Sequence, residues 1–211
     1  MYRMNAKPGV LAILMRHGKT ELNDPRKPKV RGWADIPLSN EGKIEAQMTA
    51  NRLRFFKPKQ VYHSDFMRDS QTAHEVARVL NIPAEADFDA RTWDVGNYSG
   101  KLEAEANPPL IELYKRSWET PPGSSESFNE FAARWIRFLE NKLDYSANVA
   151  RPVVIVTHGR NLALTHAHID GLHPLDGMMP LPAGTSIIRV EDNGQVSIDV
   201  QDPKEPVIQD V

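Results

Sequence analysis

An unbroken apolar segment near the N-terminus, at residues 10–15, is followed at once by arginine, histidine and glycine. Six consecutive apolar residues predict a strand buried on both faces, as in the parallel sheets of α/β proteins. Ligands of such sheets bind outside the carboxyl ends of the strands, so Arg16, His17 and Gly18 stand where a site is expected. Gly18 would let a ligand approach the backbone closely. The segment therefore predicts a fold class and a position for the chemistry.

Further strands and helices along the chain support this fold class. Short apolar runs at residues 60–62 and 153–156 precede His63 and His158, and amphipathic patterns predict helices over 39–55, 66–80, 128–143 and 161–169. The dipeptide Asn193-Gly194 joins two alternating runs and predicts a hairpin. We therefore expect an α/β three-layer sandwich, with a mostly parallel central sheet flanked by helices and an antiparallel C-terminal edge hairpin.

Length, charge and composition limit the possible classes. A chain of 211 residues can form a single domain with a sizeable core. Within it we expect loosely ordered tails at 1–9 and 202–211, and a lid-like insert at 82–122, where turn signals cluster. The formal net charge of −2 gives no general attraction for nucleic acid, and the lack of cysteine excludes thiolate catalysis. Since no long apolar segment is present, we expect a cytoplasmic protein with no membrane or nucleic-acid partner.

Three segments carry a family resemblance. RHGKTELN, at residues 16–23, resembles the Arg-His-Gly-x-Thr-x-x-Asn signature of the histidine phosphatase superfamily, the phosphoglycerate mutase-like family. RGWADIPLSNEG, at 31–42, and HSDFMRDSQTA, at 63–73, resemble later segments of the same family. The resemblance implies a metal-independent phosphomonoesterase of the histidine acid phosphatase type, without a cofactor, that acts on a small phosphorylated substrate. It also implies that His17 becomes phosphorylated and that His158 steadies the phosphoryl oxygens.

The resemblance assigns phosphate binding to particular side chains. Arg16 and Arg68 suit the role because a guanidinium group binds two phosphate oxygens at once and keeps its charge. Two neighbouring guanidinium groups would also lower the pKa of His17 below its usual value of about 6.5, so the nucleophile would stay unprotonated. The remaining residues that we expect to contact substrate are Asn23, Gly18, Thr20, Arg31 in the basic loop, and Gly159.

The chain departs from the family at the general acid. The family pattern is Glu-x-x-x-Gly-x-x-x-Gly, and in RTWDVGNYSG the glutamate position holds Thr92. A threonine hydroxyl cannot act as an acid near neutral pH. Asp94, two residues on, is the candidate replacement, although an aspartate there could instead cap the loop. Glu103, Glu105 and a bound water are the other candidates.

Three alternative functions remain open. A phosphoglycerate mutase would use the same histidines, although Gln71 and the modest chain length favour hydrolysis. A phospho-ligand-binding or regulatory protein would keep the pocket and lose turnover through Thr92. A metallohydrolase would use His166, His168 and His173, but side chains two residues apart on a helix do not face the same side.

Overall fold

The fold centres on a six-stranded sheet. The computed structural model describes residues 2–173 and 185–201. Its strands are β1 (Gly9–Arg16), β2 (Val61–His63), β3 (Ala84–Ala86), β4 (Val153–Thr157), β5 (Thr185–Val190) and β6 (Val196–Gln201). They lie in the order β3-β2-β4-β1-β5-β6. The first four strands are parallel to one another, β5 is antiparallel to β1, and β6 is antiparallel to β5. The expected α/β sheet with an antiparallel edge hairpin is confirmed.

Within residues 2–173 and 185–201, five α-helices flank the sheet: α1 (Asn40–Leu53), α2 (Met67–Leu80), α3 (Glu103–Lys115), α4 (Phe128–Val149) and α5 (Gly159–Asp170). Local chemistry fixes two of their starts. The hydroxyl of Ser39 accepts a hydrogen bond from the Gly42 amide, and Ser127 forms a reciprocal capping box with Glu130. Both caps satisfy backbone amides that a helix leaves unpaired at its first turn.

The alternating side chains of the central strands divide the core into two layers. In β1, Ile13 and Met15 pack with α1 and α2, whereas Leu14 packs on the opposite face with α4 and α5. β4 follows the same rule, with Val154 on the first face and Ile155 on the second. Successive strand residues point to opposite faces, so both faces of the central strands are covered and the three layers follow.

The expectation of a loose N-terminal tail is wrong for residues 2–9. Arg3 pairs with Gln195 beside the β5–β6 turn, and the Met4 amide donates to the carbonyl of Gly194. Tyr2 and Met4 also pack against the core. The hairpin turn provides the backbone partners that hold this segment. The tail expected at 202–211 lies outside the described residues.

The insert expected at 82–122 contains one strand, one α-helix and two 3-10 helices of three residues each, Phe88–Ala90 and Gly96–Tyr98. It begins with the edge strand β3, which the sequence did not indicate, and continues through turns to α3. α3 starts at Glu103, ahead of Pro108 and Pro109, and lies beside the cavity described below. Within the part of the chain that the structure describes, no helix is long and apolar enough to cross a bilayer.

Candidate active site

A cavity of about 610 Å³ opens at the carboxyl ends of β1 and β4. These strands are parallel neighbours with Arg16 paired to Thr157, so the next residue of each strand reaches the same edge of the sheet. The cavity is lined by Arg16, His17, Val30, Arg31, Gly32, Arg68, Thr92, Glu103, Asn107, Leu110, Ile111, Tyr114, His158, Gly159 and Arg160. Segments that are far apart in the chain therefore line the same cavity.

The two histidines face each other across this site. The rings of His17 and His158 lie 5.3 Å apart, centroid to centroid, in an edge-to-face arrangement. Nδ1 of His17 lies 2.8 Å from the carbonyl oxygen of Gly18. A carbonyl only accepts, so Nδ1 carries the proton, and in the neutral ring Nε2 keeps its lone pair. The contact therefore selects the tautomer that a nucleophilic imidazole needs.

Burial and charge keep both rings neutral. Burial lowers the pKa of His17 well below its usual 6.5, and the positive charges of Arg68 and Arg16 lower it further. The pKa of His158 is lowered well below 6.5 for the same reasons, with burial again the largest cause. Because both effects disfavour an imidazolium, His17 is unprotonated at neutral pH.

Arg68 is held in place by backbone carbonyls. Its side chain is fully buried in the first turn of α2, and its two terminal nitrogens donate to the carbonyls of Ala34, at 2.7 Å, and Gly32, at 2.9 Å. The guanidinium group also lies over the ring of Phe66, 4.6 Å from its centroid. The loop at 31–35 thus fixes a buried positive charge beside the two histidines.

Three further guanidinium groups line the cavity. Arg16, Arg31 and Arg160 make no ion pair with a carboxylate of the described residues. Burial lowers the pKa of Arg31 to about 10, and the charges of Arg16 and Arg68 contribute to that change. Like charges at close range raise each other's free energy unless an anion binds. The cavity is therefore strongly cationic.

Three residues of the first motif support the site without lining the cavity. The Gly18 amide donates to Thr72 Oγ1 at 3.1 Å, and Asn23 Oδ1 accepts from the amide and hydroxyl of Thr20, each at 2.9 Å. A Cβ atom on Gly18 would lie 2.3 Å from the carbonyl oxygen of Gly42. Gly18 therefore lets α1 pack directly on the loop after His17, while Thr20 and Asn23 brace that loop.

Asp94 is not brought into the cavity. Its Oδ1 accepts from the Gly96 amide, and its Oδ2 accepts from the amide and hydroxyl of Ser125, at 2.9 and 3.1 Å. Both oxygens are thus occupied by the loop, as in the capping role that the sequence left open. Thr92 does line the cavity, and Glu103 is the carboxylic acid that lines it among the described residues.

A second buried arginine ties the irregular segment around Thr92 to α4. Arg134 donates to the carbonyls of Asp89, Arg91 and Thr92 and forms an ion pair with Glu126 at 2.7 Å. Oε1 of Glu126 also accepts a hydrogen bond from the Asp94 amide at 3.0 Å. The part of the cavity wall around Thr92 is therefore held in place by buried charged groups rather than by a strand or helix.

Sequence reasoning missed several residues at the site. Arg160 comes directly after His158 and Gly159, so its position in the sequence could have identified it as a residue of the site. Asp69 follows Arg68 and is fully buried, with Oδ2 3.2 Å from Nε2 of His158. Adjacent residues on a helix point about 100° apart, so the position of Arg68 gave no reason to expect Asp69 beside the same site.

The histidines considered for a metal site do not come together. His166 contacts Ser186 Oγ at 3.1 Å, whereas His168 contacts Glu140 at 3.2 Å. Across residues 2–173 and 185–201 no three histidine, aspartate or glutamate side chains are grouped to hold a metal ion.

Comparisons with known proteins agree with this architecture. The chain is 26% identical to a 2,3-bisphosphoglycerate-dependent phosphoglycerate mutase of Leifsonia xyli, over 83% of this chain and 84% of that protein. It is 31% identical to phosphoglycerate mutase-like protein 4 of Arabidopsis thaliana, over 70% of this chain and 65% of that protein.

Solved structures share the fold. A mycobacterial glucosyl-3-phosphoglycerate phosphatase aligns with a TM-score of 0.74 at 23% identity, covering 91% of this chain and 97% of that one. The α-ribazole phosphatase of Shigella flexneri aligns with a TM-score of 0.72 at 22% identity, covering 90% and 95%. The family model of the histidine phosphatase superfamily, branch 1, matches residues 12–203. The chain therefore belongs to branch 1 of the histidine phosphatase superfamily.

Proposed function

We propose that the protein is a phosphomonoesterase that transfers a phosphoryl group to Nε2 of His17 and then to water. The proposal rests on the two imidazole rings that face each other, and on the hydrogen bond that Nδ1 of His17 donates to the Gly18 carbonyl. The lone pair of Nε2 attacks phosphorus as the ester bond breaks, and Arg16 and Arg68 balance the charge on the phosphoryl oxygens. A water molecule then releases phosphate and restores His17.

The covalent intermediate gives the direct test. We expect the protein, after treatment with EDTA, to hydrolyse 4-nitrophenyl phosphate at a rate within about twofold of the untreated sample, because guanidinium groups supply the positive charge that a metal ion gives elsewhere. Rapid quenching with ³²P-labelled substrate should leave an alkali-stable label on the peptide that contains His17. Loss of activity with EDTA, or a label elsewhere, would contradict the proposal and favour a metallohydrolase.

A mutase differs in what accepts the phosphoryl group. The relatives named as phosphoglycerate mutases make this the second candidate. A mutase returns the phosphoryl group from His17 to a bound hydroxyl, so 3-phosphoglycerate would yield its isomer. A phosphatase would instead release inorganic phosphate. Measuring both products in one reaction separates the two functions.

The charge of the cavity indicates a further feature of the substrate. Four guanidinium groups, those of Arg16, Arg31, Arg68 and Arg160, face one carboxylate, Glu103. A phosphomonoester dianion leaves this set with uncompensated positive charge. The guanidinium carbon of Arg160 lies 5.6 Å from the ring centroids of both Trp93 and Tyr114. The leaving group therefore carries a second anionic group that Arg31 and Arg160 bind.

Two small esters test this feature because they differ only in one group. 3-Phosphoglycerate carries a carboxylate where glycerol 3-phosphate carries a hydroxymethyl group. We expect kcat/KM to favour 3-phosphoglycerate at least about tenfold, since a charge-assisted hydrogen bond contributes about 1.5–3 kcal/mol. Arg31→Gln should reduce that preference to near unity.

Arg26→Gln is the matched control, because Arg26 is an exposed arginine of the same basic loop that pairs with Asp24 outside the cavity. It should leave the preference unchanged. Equal kcat/KM for the two esters in the wild type would contradict a second anionic group.

A further inference from the structure

The proposed reaction needs a proton for the leaving oxygen. An alkoxide is a poor leaving group unless an acid protonates it as the P–O bond breaks. Thr92 lines the cavity at the position where the family pattern has glutamate, and Asp94 bonds to its own loop. Neither residue supplies the proton, which leaves Glu103 in the cavity wall and the carboxyl groups buried behind the wall as candidates.

Asp69 is a buried carboxyl group directly behind His158. Its Oδ2 accepts a hydrogen bond from Ser64 Oγ at 2.8 Å and lies 3.2 Å from Nε2 of His158. Three buried polar atoms here have no hydrogen-bond partner among the described residues: Oδ1 of Asp69, Nε of Arg68, which lies 3.9 Å from Oδ2, and Nε2 of His158 itself. A carboxylate with one unsolvated oxygen is costly to bury. The surroundings of Asp69 thus favour its protonated form.

The charged groups around Asp69 act in opposite directions. Arg68 and the Ser64 hydroxyl favour the carboxylate, whereas Asp65 and Asp35 disfavour it. Burial is the largest effect, and it raises the pKa of Asp69 from 3.8 to about 7. Asp69 lies in the first turn of α2, where the helix dipole favours a negative charge. Burial outweighs the dipole, so Asp69 holds a proton near neutral pH.

We propose that Asp69 is a positioning residue that holds a proton for His158, and that this pair protonates the leaving oxygen in place of the acid missing at Thr92. The inference rests on the proposed phosphatase function. Asp69 passes its proton to Nε2 of His158, whose other ring nitrogen releases a proton to the ester oxygen. Asp69 is the proton store, and His158 is the group that contacts the substrate.

The proton count balances over the two half-reactions. In the first, His17 Nε2 bonds to phosphorus, the P–O ester bond breaks, and the alcohol departs with the proton that Asp69 held. In the second, water attacks phosphohistidine, the P–N bond breaks, and the proton of the water returns through His158 to Asp69. The enzyme ends with neutral His17 and protonated Asp69, so no other reactant is required.

Leaving-group dependence separates a proton store from a structural carboxyl group. An aryl phosphate such as 4-nitrophenyl phosphate needs little protonation, whereas a primary alkyl phosphate needs it fully. We expect Asp69→Asn to lower kcat/KM about 10²-fold or more for the alkyl ester and no more than about threefold for the aryl ester, as general-acid catalysis contributes about 10²–10⁴-fold. Retained turnover of the aryl ester also shows that the variant folds.

The pH profile gives an independent readout. With the alkyl ester, kcat/KM of the wild type should fall as the pH rises through about 7, because Asp69 must be protonated, and this limb should be absent in Asp69→Asn. Ser64→Ala removes a hydrogen bond that favours the carboxylate. It should therefore move the falling limb to higher pH, and a limb that stays in place would contradict the proposal.

Two other carboxyl groups serve as comparisons. Asp94→Asn changes a buried carboxyl group outside the cavity, and Glu103→Gln changes the one that lines it. Neither should alter the ratio of alkyl to aryl turnover. An equal loss on both esters in Asp69→Asn, no loss on either, or a selective loss in Glu103→Gln instead would overturn this inference alone. Failure of the wild type to hydrolyse either ester would overturn the proposed function itself.

Discussion

Replacing His17 with alanine is expected to lower kcat/KM for phosphomonoesters by about 10³-fold or more, the loss typical when a covalent nucleophile is removed. The variant should still bind inorganic phosphate, because Arg16, Arg31, Arg68 and His158 remain around the cavity. Hydrolysis of 4-nitrophenyl phosphate measures the first effect, and the phosphate-dependent rise in Tm measures the second. The combination assigns His17 to bond formation rather than to binding.

His63 provides a matched control for the loss of a buried imidazole. It ends β2 as His17 follows β1, and its Nδ1 contacts the carbonyl oxygen of the next residue, Ser64, at 2.6 Å. It does not line the cavity. His63→Ala should keep turnover within about tenfold of the wild type. If His17→Ala were equally mild, while Arg68→Ala abolished binding, the protein would instead be a phospho-ligand-binding or regulatory member of the family.

Gly42→Ala is expected to destabilise the fold by about 2–3 kcal/mol, the scale of overpacking in a tight interface. The sign is opposite to the general rule, since alanine in a helix is favoured over glycine by about 1 kcal/mol. A Cβ atom at Gly42 would lie 2.1 Å from the carbonyl oxygen and 2.7 Å from the amide nitrogen of Lys19. These are backbone atoms, so α1 must move away from the loop after His17.

Chemical denaturation of Gly42→Ala and Lys43→Ala measures this effect. Lys43 is the next residue of α1 and is exposed, so its replacement should change the free energy of unfolding by less than about 0.5 kcal/mol. The displaced loop should also lower the activity of Gly42→Ala. A stability equal to or above that of the wild type would show that the close approach of Gly42 to Lys19 carries no strain.

The central strands, and the edge of the sheet where the site lies, could be predicted because short continuous segments of the sequence indicate them. Continuous apolar runs identify β1 and β4, and each run ends in a histidine and a glycine. The position of both histidines then follows from the geometry of neighbouring parallel strands. β3 gave no such signal, since Ala84–Ala86 is a short edge strand with two of its three residues exposed. Its pairing depends on β2 and not on its own pattern.

Contacts between distant segments explain the other differences. Proline suits the first turn of a helix, so Pro109 would ordinarily mark a helix start. α3 begins six residues earlier, and residues 104 and 105 are exposed, so water can bind the carbonyls that the prolines leave unpaired. The role of Asp94 depends on Ser125, 31 residues away. The importance of Asp69, on α2, depends on His158, which lies between β4 and α5.

Two buried arginines hold part of the cavity wall through main-chain carbonyls, and this part of the wall can therefore vary in sequence. Arg68 binds the carbonyls of Gly32 and Ala34, and Arg134 binds those of Asp89, Arg91 and Thr92. Because these bonds use main-chain oxygens, the side chains of both loops can change without releasing either guanidinium group. Side chains of the half-buried helix α3, among them Asn107 and Ile111, line another side of the cavity. Natural variation or design could exchange these side chains to accept a different ligand while both arginines stay in place.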